Sequence, residues 1–347
     1  MLRVLIVDDS PTSGLLLKSI LESDPGIQVV GTALDGAEGL QKALELRPDL
    51  VTMDIHMPGQ DGFETTRQIM TRIPTPIVIV SASVDSGEVR MSLQSLEAGA
   101  LAIIPKPSGP QHPRFKQAAA ELINTVKTMA DVKVVGRRTP VIHLPKPAAR
   151  LPAFTRPLEL IAIAASTGGP AALTTILTSL PKALPIPILI VQHIAAGFDR
   201  GMAEWLASVS GQPVRLARHK ELLEPGQVLI APQGTHLGID ERRQISLDMF
   251  TPPIGGFRPS ATQLFSAAAR LYGARALGVI LTGMGVDGAA GLLELHQAGG
   301  RVLAQDEASC VVFGMPAAAL ALGAVDQTIS LSQIAALLAD LEMEAFR

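Results

Sequence analysis

Residues 158–170 read LELIAIAASTGGP, an apolar run of strand length that stops at Ser166 and passes through Thr167, Gly168 and Gly169 to Pro170. Glycines at that point let the backbone turn sharply into a helix whose first amides face the end of the strand. Strand, turn and helix is the repeating unit of a parallel sheet covered by helices, and it recurs along the chain. PILIVQ leads to His193, ALGVILTG to Met284 and RVLAQ to Asp306, and the last helical pattern is SQIAALLADLEMEA. Upstream, RVLIV, IQVVG, LVTM, PIVIV and ALAII alternate with helical stretches such as PTSGLLLKSILES, where Ser10 suits the N-cap and Pro11 the first turn. The class is therefore α/β. Five strands with five helices predict a flavodoxin-like N-terminal domain, and the later alternation predicts a second, doubly wound parallel-sheet domain.

A length of 347 residues fits two domains better than one core. The expected division is 1–125, a linker over 126–157, and 158–347. Five prolines and six Lys or Arg fall within 132–157 without sustained periodicity, the text of a semi-extended connection. Aromatic residues make up 3% of the chain and the net charge is −3. Neither a base-stacking surface nor strong attraction to nucleic acid is implied by such a composition, so the partner is expected to be protein or a small molecule. One cysteine, Cys310, excludes an internal disulfide and a cysteine-based zinc site. The start, MLRVLIVDDS, reaches two aspartates before a signal-peptide core could form, and no apolar run approaches a membrane span of ~20 residues. A cytoplasmic protein with no direct membrane insertion is expected.

Chemistry in open α/β sheets sits beyond the carboxyl ends of the strands. In the first domain those ends carry Asp8 and Asp9, Asp54, Ser81 and Lys106. Three converging carboxylates repel one another, and Mg2+, a hard cation taking oxygen ligands, would neutralise them. One aspartate could then attack phosphorus, with Lys106 balancing the phosphoryl charge and Ser81 donating to a phosphoryl oxygen. An isolated aspartate after a strand is more often a helix cap. Here the grouping at four strand ends argues for a site.

In the second domain the strand ends carry Ser166, His193 and, within MGVD, Asp287. A hydroxyl, an imidazole and a carboxylate on one sheet edge are what nucleophilic acyl transfer needs: attack by Ser166, proton uptake by His193, and Asp287 to hold the imidazole tautomer. Amides at the start of the helix after Ser166, and those around Met284, are candidate oxyanion donors. Taken singly, Ser166 could N-cap the helix near Pro170, His193 could be a satisfied strand-end histidine, and Asp287 could cap GAAGLLELHQ. The remaining histidines, among them His112, His143 and His296, make no metal-site spacing. Gly283, Gly285 and Gly288 also spell G-x-G-x-x-G after a strand, with Asp306 downstream. NAD binding is disfavoured because that fingerprint belongs to a domain's first strand, and because Asp287 would set a carboxylate against the pyrophosphate. No G-x-x-x-x-G-K-[ST] P-loop is present.

Two sets of motifs carry a family resemblance. LIVDDS, MDIHMPGQDG, VSAS and PKP resemble a two-component response-regulator receiver across about residues 1–125. That resemblance implies Asp54 as phospho-acceptor, Asp8, Asp9 and Asp54 on Mg2+ with the backbone carbonyl of His56, and Ser81 and Lys106 as the switch residues. Ile103 stands where many receivers carry an aromatic switch residue. ASTGGP, VQHIAAGF, LIAPQGTHLGID, FRPSATQLF, VILTGMGVDGAAGL and QDEASCVVFGMP, placed after such a receiver, resemble the chemotaxis protein-glutamate methylesterase family, CheB, over nearly the whole chain. The resemblance implies Ser166 as nucleophile, His193 as general base, Asp287 as orienting acid, and an oxyanion site at the amides of Met284 and Thr167. It implies a phosphorylation-regulated enzyme that hydrolyses glutamate methyl esters on the cytoplasmic helices of methyl-accepting chemoreceptors, deamidates receptor glutamines, needs no cofactor for the ester reaction, and takes phosphate from a chemotaxis histidine kinase. An unphosphorylated receiver is expected to cover the cleft holding Ser166. The alternative is a non-catalytic adaptor or phosphate sink for such a kinase. Ala164 replaces a glycine common in the family two residues before the serine, Phe257 replaces a His or Arg and is expected to alter receptor preference, and Cys310 is expected to be a buried thiol.

Overall fold

The structure is a computed structural model and describes residues 1–81, 86–132, 134, 157–182 and 184–344. The chain divides into two compact units, Met1–Ile142 and His143–Arg347. Most of the expected linker lies outside the described residues. Its first residues do not: the last helix of the first unit continues to Ala130, past the expected boundary at 125.

The first unit contains β1 (Leu2–Val7), α1 (Pro11–Leu21), β2 (Ile27–Ala33), α2 (Gly36–Leu46), β3 (Leu50–Met53), α3 (Gly62–Arg72), β4 (Ile77–Ser81), α4 (Ser86–Ala98), β5 (Ala102–Pro105) and α5 (Phe115–Ala130). Its sheet order is β2-β1-β3-β4-β5, all parallel, the flavodoxin-like order with its switch point between β1 and β3. Ser10 caps α1 by accepting from Ser13 N, with Pro11 in the first turn. Every residue of β3 and β4 is buried, as strands covered on both faces require.

The second unit runs β6 (Leu160–Ala165), α6 (Gly169–Ser179), β7 (Ile188–Gln192), α7 (Asp199–Ser210), β8 (Val214–Leu216), β9 (Val228–Ile230), β10 (His236–Ile239), β11 (Ile245–Asp248), α8 (Ala261–Leu271), β12 (Ala276–Ile280), α9 (Ala289–Gln297), β13 (Arg301–Gln305), α10 (Met315–Ala321), β14 (Gln327–Ile329) and α11 (Leu331–Glu344). Seven strands form a parallel sheet in the order β14-β13-β12-β6-β7-β9-β8, and β10 and β11 form a separate antiparallel hairpin. The chain starts at the central β6, winds outward through β7, then returns to β12 on the other side. This places a switch-point crevice beyond β6 and β12. Alternate residues Leu160, Ala162 and Ala164 of β6 share one core with Leu264 and Phe265 of α8 and Ile280 of β12, while Ile161 and Ile163 are equally buried on the opposite face. Three-residue strands such as β8, β9 and β14 are too short to show a period, which is why they escape a reading by periodicity.

Candidate active site and phosphoryl site

Parallel register brings the esterase candidates together. Ala165 of β6 pairs with Gln192 of β7, so the next residues, Ser166 and His193, emerge side by side. On the other flank Ala164 pairs with Ile280 of β12, and the turn after β12 carries Asp287. The His193 side chain is 6% exposed and that of Asp287 2%, with Nε2 of the imidazole 2.9 Å from Oδ2 of the carboxylate. Nδ1 of His193 is buried and has no hydrogen-bond partner among the described residues. A carboxylate at Nε2 favours the tautomer protonated there, so Nδ1 is the lone pair available to accept a proton.

Capping does not explain these residues. Helix α6 is capped by Gly168 in a left-handed conformation, not by Ser166. Nor does Asp287 serve the first turn of its own helix α9, whose cap is Gly288. Its carboxylate reaches instead to the N-terminus of α8. Oδ2 accepts from Ala261 N at 2.7 Å, and Oδ1 accepts from the Ser260 hydroxyl at 2.7 Å, the Thr262 hydroxyl at 2.9 Å, Gly288 N at 3.0 Å and Thr262 N at 3.1 Å. Burial on its own would raise the carboxyl; the bonds from His193, Ser260 and Ala261 and the proximity of His193 outweigh it and bring Asp287 down to about 2. A helix N-terminus adds its own positive end.

Because the folded value lies below the ordinary 3.8, the unfolded chain binds the extra proton. Asp287 therefore contributes stability, on the order of 2 kcal/mol, that is fully present above about pH 4 and is lost as pH falls towards 2. Trp205, the single tryptophan, is buried in α7 and reports on this unit alone. Denaturant unfolding tracked by its fluorescence should show the stability gap between wild type and Asp287→Ala narrowing below pH 4; a gap constant down to pH 3 contradicts the assignment.

The backbone around Ser166 is clamped. Its N–H donates to Thr282 O at 3.0 Å, so that amide is not an oxyanion donor. Its carbonyl accepts from Gln192 Nε2 at 2.7 Å, and the same amide group donates to His193 O at 2.8 Å, tying nucleophile and base loops together. The Thr282 hydroxyl donates to Thr167 O at 2.9 Å and orients the next peptide. The glycine-rich turn also has its explanation: a Cβ on Gly283 would lie 2.7 Å from the Ser166 Cβ. Gly283 thus allows the close approach of two loops. On that turn, Met284 and Val286 expose apolar side chains. Cys310 is half-buried rather than in the core, and burial, opposed by a bond from Thr282, pushes its thiol up to about 12, too high for a nucleophile.

Gln192, Ser260, Thr262, Thr282 and His236, whose Nδ1 accepts from Ser260 N at 3.3 Å, make contacts here without having stood out in the sequence. Only Ser260 had a readable signal, as a serine directly before the helical ATQLFSAAARL. The other four act through contacts between distant segments.

At the first site, carboxylate oxygens of Asp8, Asp9 and Asp54 lie within 4.8 Å of one another. Lys106 Nζ is 2.6 Å from Asp54 Oδ2 and 2.8 Å from Asp8 Oδ2. Burial raises the Asp54 carboxyl, aided by the charge of Asp8, and this exceeds the lowering effect of Lys106. For Lys106, burial works downward but the bonds to Asp54 and Asp8 prevail and raise it. The Ser81 hydroxyl is buried with no hydrogen-bond partner among the described residues, so it is open to an acceptor. His56 is exposed and Ile103 half-buried. The clustered oxygens and the unpaired hydroxyl fit a divalent cation and a phosphoryl group.

Comparison with known proteins finds matches to both parts of the chain. A family model described as CheB methylesterase matches residues 161–338, and one described as response regulator receiver domain matches 4–116. The chain is 51% identical over 335 residues to protein-glutamate methylesterase/protein-glutamine glutaminase 3 of Anaeromyxobacter dehalogenans, covering 96% of this chain and 97% of that protein. It is 48% identical over 340 residues to the corresponding protein 4 of Myxococcus xanthus, covering 96% and 95%. The crystal structure of the Thermotoga maritima CheB methylesterase catalytic domain matches with a TM-score of 0.51 and 37% identity, covering 53% of this chain and 98% of that one.

Proposed function

The chain belongs to the CheB methylesterase family, and from that premise we propose how its residues divide the work. The protein is a phosphorylation-regulated chemotaxis methylesterase that hydrolyses protein glutamate methyl esters, and a protein-glutamine deamidase. Ser166 Oγ attacks the ester carbonyl while His193 Nδ1 takes its proton, and Asp287 holds the proton on Nε2 and offsets the imidazolium charge. The tetrahedral oxyanion lies against the amides of Thr167 and Met284. Collapse expels methanol, which takes its proton from Nδ1. Water, activated by the same nitrogen, then cleaves the acyl-enzyme to glutamate and free Ser166. With glutamine as substrate, ammonia leaves instead. The observation carrying this reading is the buried imidazole, bonded to Asp287 through Nε2 and unpaired at Nδ1, on the strand end next to Ser166.

The natural substrates are the cytoplasmic helices of methyl-accepting chemoreceptors, which places the enzyme in the cytoplasm. No helix among the described residues is long and apolar enough to cross a membrane. At the other site Asp54 receives a phosphoryl group from a chemotaxis histidine kinase. Asp8, Asp9, Asp54 and the carbonyl of His56 would hold Mg2+, which when bound would neutralise charge on the carboxylates and the incoming group. Lys106 and Ser81 bind phosphoryl oxygens, the first exchanging its carboxylate partners for them and the second gaining its missing acceptor.

Methanol release from methylated receptor fragments tests both halves. A small-molecule phosphodonor with Mg2+ is expected to stimulate the wild type, and Asp54→Asn is expected to retain basal release while losing the stimulation. If Asp54→Asn responds to phosphodonor like the wild type, the phosphoryl assignment fails; if the wild type releases no methanol, the esterase assignment fails.

A further inference from the structure

Phe257, expected from the sequence to alter receptor preference, lies against the candidate base. Its ring stacks on the His193 imidazole with centroids 4.0 Å apart and planes 9° from parallel. Resting on the reading of His193 as general base, we propose that Phe257 is a positioning residue that holds the imidazole flat, fixing the direction in which Nδ1 is presented on the strand end next to Ser166.

The physical need is specific. A single bond at Nε2 pins one edge of the ring to Asp287 but leaves it free to tilt about that contact. Among the described residues no donor or acceptor holds the other ring nitrogen, Nδ1. A flat apolar surface against one face removes the tilt without competing for Nδ1, which a histidine or arginine at this position could do. Proton transfer depends steeply on such alignment.

Phe257 is itself on a stiff support. Ile254 and Phe257 exchange backbone hydrogen bonds, 3.1 and 3.0 Å, across Gly255 and Gly256. Both glycines have positive φ, 59° and 89°, which makes a tight turn that other residues resist. Upstream, Pro252 O accepts from His236 Nε2 at 3.1 Å, and the buried His236 takes Ser260 N on its Nδ1 at 3.3 Å. Downstream, the Arg258 guanidinium donates to Met249 O at 2.8 Å and Thr251 O at 3.3 Å. Ser260, which closes the loop, bonds Asp287. One loop thus fixes the face of the imidazole and, through Ser260, the carboxylate at its edge.

The test uses the full-length, phosphodonor-activated protein on methylated receptor fragments, with Phe257→Leu and Phe257→Tyr. Leucine keeps apolar bulk but is not planar, and tyrosine keeps the ring. For Phe257→Leu, kcat should fall about 10- to 100-fold, the scale for misplacing a catalytic group, with KM changed less than about twofold. Phe257→Tyr should stay near wild type. In the NMR spectrum, the His193 ring protons should be shifted upfield by the stacked ring in wild type and Phe257→Tyr, and should lose that shift in Phe257→Leu. Phe257 is only half-buried, and unchanged Trp205 fluorescence confirms that each variant is folded. A rise in KM with kcat intact would make Phe257 a receptor contact and overturn the proposal, as would equal losses in both variants or no loss in either. Failure of the esterase reading is distinct, since the wild type itself would then release no methanol.

Discussion

Ser166→Ala is expected to reduce methanol release by on the order of 10^6-fold in kcat, to the limit of detection, the loss seen when a triad serine hydrolase loses its nucleophile. The fold should survive. Backbone groups hold this turn: Ser166 N on Thr282 O, and Ser166 O accepting from Gln192 and from Gly169 N at 2.9 Å. Alanine supplies all of these groups and removes only the hydroxyl. Unfolding midpoints of the two proteins, read by Trp205 fluorescence, should coincide. Phosphorylation of Asp54 should also proceed, since that site uses none of these residues. Release from Ser166→Ala within about tenfold of the wild type would remove Ser166 from the mechanism and bring forward the adaptor alternative.

Asp287→Asn is expected to cost about 10^4-fold in kcat, through the tautomer of His193. Every group around the carboxylate is a donor: His193 Nε2–H, the Ser260 and Thr262 hydroxyls, and the amides of Ala261, Thr262 and Gly288. An asparagine NH2 must therefore face a donor. Turned towards Nε2, it drives the proton to Nδ1 and leaves no base for Ser166; it also confronts Ala261 N. Turned the other way, it meets the amides of Thr262 and Gly288. Each buried donor left unpaired costs about 1–3 kcal/mol. Unlike Ser166→Ala, this variant should lose stability as well as activity. Steady-state kcat and the Trp205-monitored midpoint would show both; retention of activity within about tenfold would mean that Asp287 does not set the imidazole tautomer.

Much of this was legible because short-range physics writes it along the chain. An apolar run such as LVTM or LIAIAA can only be a buried strand, and the residues just past such a strand lie at a predictable edge of a parallel sheet. Both groups of site residues were found in that way, without a distance. The place of the strand before the glycines at 283, 285 and 288, late in its domain, is likewise legible in the sequence and argues against a dinucleotide fingerprint. Alternation fails for short elements. β8 and β14 have three residues each and no room for a period, and the hairpin of β10 and β11 interrupts the pattern of a parallel sheet.

From its sequence alone, this protein is an α/β chain with two chemistries at strand ends, because hydrophobic periodicity and turn chemistry act between near neighbours. Tertiary structure decided how those groups are aimed. That Asp287 bonds Nε2 and leaves Nδ1 without a partner among the described residues depends on α8 meeting the turn after β12. That Gln192 spans two carbonyls, and that Phe257 lies flat on His193, depend on how separate loops pack. Side-chain direction across such gaps is set by small differences in angle and distance between segments far apart in the chain. No linear spacing encodes them.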